Sequence, residues 1–165
     1  MDLFNQNEVK AEWLHPTEFP SMKGRDVVAI DLETCDTDLK KMGPGWPRKV
    51  GDVIGISISS GDFTAYYPIA HEGGGNMDRS IIIEYIKEIC EDESIQKVFH
   101  NAQYDIGWLS VLNIEVKGYI HDTMIAAALL NENRYSFTLN SMVSEYLGEF
   151  KNESLLKAKA EELGI

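Results

Sequence analysis

The sequence predicts an α/β fold, a mixed sheet of three antiparallel strands followed by parallel strands, with helices on both faces. Three observations carry this prediction. Short β-branched runs separated by turn residues fill positions 26–67. Beyond position 80, helical apolar stripes alternate with short strands. Hydrophobic residues make up 44% of the 165-residue chain, enough to bury a core without disulfide staples. A meander followed by helical crossovers gives a sheet with parallel and antiparallel pairs together.

Met1 to Lys23, with Pro16 and Pro20 and no sustained period, reads as a lead-in on the surface that ends at residue 24. The domain proper then runs over 25–165. Asp26 to Asp31 (DVVAID) is a buried strand. Thr37 to Arg48 contains Gly43, Pro44, Gly45 and Pro47 and reads as a loop. Val50–Ser59 and Phe63–Tyr67 flank Ser60-Gly61-Asp62, a hairpin signal. A glycine-rich loop, His71 to Met77, follows. Ser80 to Cys90 places Ile82, Ile83, Ile86 and Ile89 on one helical stripe, with Asp78 in position to cap it. Gln96–His100 is a strand. Asn101 caps a helix over Ala102–Leu112, and Val116–Ile120 is the next strand. Asp122 caps a helix over Thr123–Leu130. Thr138–Leu147 is a further helix with Gly148 at its C′ position, and Ser154 starts the last one. This order fits a ribonuclease-H-like sheet, and also other mixed α/β folds, so the motifs must decide.

The net charge of −12 argues against a protein that grips nucleic acid by its own basic field. It leaves room for a nuclease whose carboxylates gather at one point and meet phosphate through divalent cations. Cys35 and Cys90 are far apart and read as reduced thiols of a cytoplasmic protein. No apolar run approaches membrane-spanning length, so no membrane partner is expected. The four histidines are dispersed, which speaks against zinc.

Two acidic motifs stand out. Asp31-Leu32-Glu33 ends the first strand, where alternation points both acids one way and Leu32 the other. Neighbouring carboxylates repel, and Mg²⁺ or Mn²⁺ would relieve that repulsion with hard oxygen ligands. The second motif is His100-Asn101-Ala102-Gln103-Tyr104-Asp105, a strand end passing into a helix. If the two strands are parallel neighbours, Asp105 meets Asp31 and Glu33 at one edge of the sheet. Taken singly, each acid is as well explained by an exposed strand end or by a helix dipole. Trp46, Tyr66, Tyr67 and Trp108 are candidates for base stacking; Trp108 reads as core and Trp46, in the Gly-Pro loop, as the better contact for DNA. His71–Gly75 lacks the Lys and Ser/Thr of a phosphate-binding P-loop.

The stretch VVAIDLETCDTDL resembles motif I of the DEDD (DnaQ-like) 3′→5′ exonucleases, and FHNAQYDIGWL resembles motif II. The segment between them is similar to the exonuclease domain of family A DNA polymerases, the phage-like ones in particular. The resemblance implies that Asp31 and Glu33 ligate two catalytic cations, Mg²⁺ or Mn²⁺, with Asp31 bridging both. It implies that Asp105 holds the second cation through water, and that Thr34 and Asn101 touch the 3′-terminal nucleotide. It also implies a proofreading role on the 3′ end of single-stranded DNA, beside a polymerase domain in the same or a companion chain. Asp122, in HDTMIAAALL, reads as a cap.

One feature of the family is missing. Its third motif, a Tyr or His with an Asp four residues on, has no counterpart here; neither Tyr135 nor Tyr146 is followed by Asp at that spacing. The expectation is therefore a partial domain, weak or inactive alone, with an exposed apolar patch near its C-terminal helices that favours self-association. An RNA-processing exonuclease of the same fold, or a non-catalytic domain that positions single strands, are the competing readings. Motifs I and II do not separate DNA from RNA.

Overall fold

The computed structural model describes residues 16–149. Its five-stranded sheet has the order β3-β2-β1-β4-β5. Strands β1 (Val27–Cys35), β2 (Asp52–Ser60) and β3 (Phe63–Pro68) form an antiparallel meander. Strands β4 (Gln96–Phe99) and β5 (Ile120–Asp122) run parallel to β1. The predicted mixed sheet is therefore present. The two-residue turn Gly61-Asp62 joins β2 to β3, with Gly61 at φ 62°, a conformation that glycine adopts without a steric cost.

Cross-strand partners share a face, and the pairs Ile30–Ile58, Leu32–Ile56 and Ile56–Tyr67 define the covered one. Helix α2 (Arg79–Glu91) lays Ile82, Tyr85, Ile86, Ile89 and Cys90 on it, and α3 (Ala102–Val111) adds Trp108 and Leu109. Asp78 caps α2 as expected, accepting from the amides of Ser80 and Ile81. The opposite face carries Ala29, Asp31, Ser57 and Thr64, and is open over much of its area among the described residues. Helices α4 (Thr123–Leu130) and α5 (Leu139–Leu147) stand beside it, and their first residues, Thr123 and Leu139, line a cleft with Ala29, Asp31 and Ser57.

Several expectations are corrected. Strand β1 runs on to Cys35, so Asp31 and Glu33 lie within it; a β-bulge between Glu33 and Thr34 shifts the register of its last two residues. The 37–48 loop contains a short helix, α1 (Leu39–Met42), and a 3₁₀ turn, Trp46–Arg48. The fifth strand forms at Ile120–Asp122, several residues later than predicted, because Lys97–Phe99 pair there. The part of the lead-in that is described does not merely lie on the surface. Met22 is buried, Phe19 stacks on Tyr67 at 5.6 Å, and Pro20 O accepts from the Tyr85 hydroxyl. The helix expected from Ser154 lies outside the described residues.

Lys97 is a buried lysine without a carboxylate partner among its hydrogen bonds. Its Nζ donates to the carbonyls of Asp92 and Lys117, which ties the start of β4 to both flanking connections. Burial lowers its pKa.

Candidate active site

The site forms where β1 and β4 part. They pair from Val27 to Ala29 on the β1 side, so beyond Ala29 that edge of β1 has no strand partner among the described residues. Helix α3 starts in the gap. Asp105, one turn into it and 3% exposed, accepts a hydrogen bond from Leu32 N at 3.1 Å. That amide lies between Asp31 and Glu33, so three acids from the two motifs meet around one stretch of β1. Asp31 and Glu33 themselves are exposed on the open face.

The electrostatics follow from this crowding. Burial pushes the Asp105 carboxyl up to about 7; the Leu32 amide opposes this, while the charge of Asp31 adds to it. Asp122 shows the reverse. Partial burial works against its charge, but the amides of Ala102, Asn101, Ile125 and Met124 hold its pKa below the usual carboxylate range. This one side chain accepts from Asn101 N at 3.1 Å and Ala102 N at 2.8 Å, and also caps α4 through Met124 N and Ile125 N. Asn101, expected to cap α3, makes no side-chain cap bond; it sits in the left-handed region at φ 72° with its side chain exposed. The cap role belongs to Asp122, and left-handed non-glycine residues of this kind cluster at functional turns.

The other candidates fall around this centre. The Thr34 hydroxyl is 2.7 Å from the Tyr104 hydroxyl, which in turn donates to Asp36 Oδ2 at 3.2 Å. Asp36 also accepts from Gly45 N, so it ties the loop after β1 to α3. Trp46, read as the better contact for DNA, is half-buried with its indole against Gly107 of α3; a Cβ there would lie 2.3 Å from Trp46 Cε2. Its place in the packing of α3 accounts for it without nucleic acid. Sequence reasoning passed over Asp36, the Tyr104 hydroxyl and the structural weight of Asp122. An acid two residues after Thr34 and a tyrosine just before Asp105 were the available signals.

The donor set, three carboxylates of which buried Asp105 is kept from ionising by burial and the charge of Asp31, is chemically suited to Mg²⁺ or Mn²⁺. Among the described residues, no three His, Cys, Asp or Glu side chains are already arranged as a closed cation cage. The acids converge on one stretch of main chain without forming finished coordination.

Fold and site together define a DEDD-type nuclease domain. Residues 17–162 match the 3′–5′ exonuclease family, and the chain belongs to it. It is 35% identical over 163 residues to the DNA-directed DNA polymerase of Pseudomonas phage M6, covering 95% of this chain and 24% of the polymerase. The chain thus spans about a quarter of that relative's length. Among solved structures, Brucella melitensis NrnC aligns with a TM-score of 0.60 at 23% identity, over 81% of this chain and 58% of that one. Trypanosoma brucei RNase D also aligns at 0.60, with 20% identity, over 88% and 48%. The two structural likenesses establish the fold. Exonucleolytic hydrolysis is the activity of the family. Among the described residues no helix is long and apolar enough to cross a membrane.

Proposed function

We propose that this chain binds the 3′ end of a single-stranded nucleic acid and helps hydrolyse its terminal phosphodiester, with Asp31, Glu33 and Asp105 as the acids that hold two divalent cations. The observation that carries the reading is the bond from Leu32 N to Asp105, which joins motif II to motif I between the two β1 acids. Bound cations would supply a nucleophilic water at neutral pH and charge for the leaving oxygen. The chain's own part is to hold them. Asp31 and Glu33 offer exposed oxygens from a rigid strand, and Asp105 offers its second carboxylate oxygen from a capped helix. Thr34 and Asn101 are the proposed contacts to the terminal nucleotide. Trp46 is not carried forward as one, given its packing on Gly107.

The substrate's sugar divides the relatives. The phage M6 relative is a DNA polymerase, which favours proofreading beside a polymerase domain. The fold relatives lean towards RNA: Brucella NrnC is known with pGG and with Mg²⁺, and Trypanosoma RNase D with RNA U12. The reading kept is therefore a nuclease for single-stranded 3′ ends, without a commitment to DNA.

Calorimetric titration with Mn²⁺ tests it. Wild type binds; Asp31→Ala and Asp105→Asn each weaken binding by about 10-fold or more, as loss of a ligand does. Binding unchanged in Asp31→Ala removes the proposal. Any release of mononucleotides from a 3′-labelled strand should depend on Asp31, and Asp31→Ala should abolish it.

A further inference from the structure

Tyr66 belongs to the same row of the sheet as Asp31, since Asp31 pairs with Ser57 and Ser57 with Tyr66. Its side chain crosses to the next row. A Cβ on Gly55 would lie 1.9 Å from Tyr66 Oη and 2.4 Å from Cζ. Gly55 is the residue paired with Glu33, so the phenol lies flat on the open face beside Glu33. Only the missing Cβ permits that approach. The hydroxyl is hydrogen-bonded to His71 Nε2, and the two rings meet edge-on at 5.9 Å. Asn76 fixes His71 in turn, accepting from its amide at 2.7 Å and donating to its carbonyl at 2.8 Å. Tyr66, Pro68, His71 and the glycine-rich loop border an open cavity of about 500 Å³.

Among the described residues, neither this cavity nor the cleft beside Asp31 is lined by lysine or arginine. In a chain of net charge −12, lysine and arginine contacts to phosphate are not the source of affinity there. Besides the proposed cations, stacking is the term that remains, and it tolerates any sequence. Asn101 lies on the α3 side of β1 and Tyr66 on the β2 side. A strand with its scissile phosphate at Asp31 and Glu33 therefore has its two flanking nucleotides on opposite sides.

We propose that Tyr66, pinned by His71 and seated on Gly55, is the stacking platform for the base next to the 3′-terminal one. The proposal rests on the nuclease reading of the three acids. The test uses the full chain with deoxy and ribo octamers carrying 2-aminopurine second from the 3′ end, and Ca²⁺ in place of Mg²⁺ to slow hydrolysis. Binding to wild type should quench the probe. Tyr66→Ala and Tyr66→Leu, checked for folding by thermal melts, should weaken binding about tenfold and remove the quench. Gly55→Ala should act likewise by displacing the ring. Tyr66→Phe keeps the ring and should stay within about twofold of wild type. Wild-type quenching in Tyr66→Leu, or a loss in Tyr66→Phe as large as in Tyr66→Leu, overturns the platform; if Asp31→Ala still abolishes binding in that experiment, the nuclease reading survives. Failure of wild type to bind either octamer defeats both.

Discussion

Asp105 Oδ1 accepts from Leu32 N, so a helix carboxyl takes the place of a missing strand on the edge of β1. Burial and the charge of Asp31 favour the neutral form of this carboxyl, while the Leu32 amide favours the charged one.

A pH dependence follows. The folded pKa of Asp105, about 7, lies above the ordinary aspartate value of 3.8, so the folded state binds this proton more tightly than the unfolded state. The stabilisation is full below the lower value and is lost as pH rises through the higher one. In chelator, urea midpoints should fall between these two pH values, and Asp105→Asn should flatten that slope. Mn²⁺ should restore stability above neutrality in wild type alone. Equal slopes for both proteins would contradict the assignment.

Asp122 caps two helices with one carboxylate. Each lost cap costs about 1 kcal/mol, so Asp122→Ala should lower unfolding free energy by about 2–3 kcal/mol. Because α3 carries Asp105, Mn²⁺ affinity should fall as well. Denaturation that shifts by only a few tenths would show that the amides find other partners.

Trp46 reports on α3. Gly107→Ala would drive a methyl into the indole, which must move off the helix. Tryptophan emission should shift to the red, with a stability loss of about 1–3 kcal/mol. An unchanged spectrum would place the fluorescence response elsewhere.

Helices α4 and α5 leave Leu129 at 84%, Leu130 at 77% and Leu147 at 68% exposure among the described residues. Apolar surface of this kind favours association. Sedimentation should detect dimers or larger species at high concentration, and Leu129→Glu with Leu130→Glu should dissolve them. A monomer at every concentration would count against this association.

The short acid motifs, the hairpin turn and the caps at Asp78 and Gly148 were legible in the sequence because each rests on local chemistry: alternation along a strand, a left-handed glycine, a carboxylate before a helix. Alternation alone put Asp31 and Glu33 on one face. Tertiary structure decided the rest. It moved β5 to Ile120–Asp122, since strand pairing depends on what lies opposite and the periodicity around Val116 did not specify a partner. It gave the cap of α3 to Asp122, twenty residues downstream, because β5 delivers that side chain to the end of β4. It sent Trp46 to Gly107, where a missing side chain leaves room for an indole. The convergence of Asp105 on Leu32 depends on how far β1 and β4 remain paired before they part, and that separation is fixed by packing across the whole sheet, which no local stretch of residues encodes.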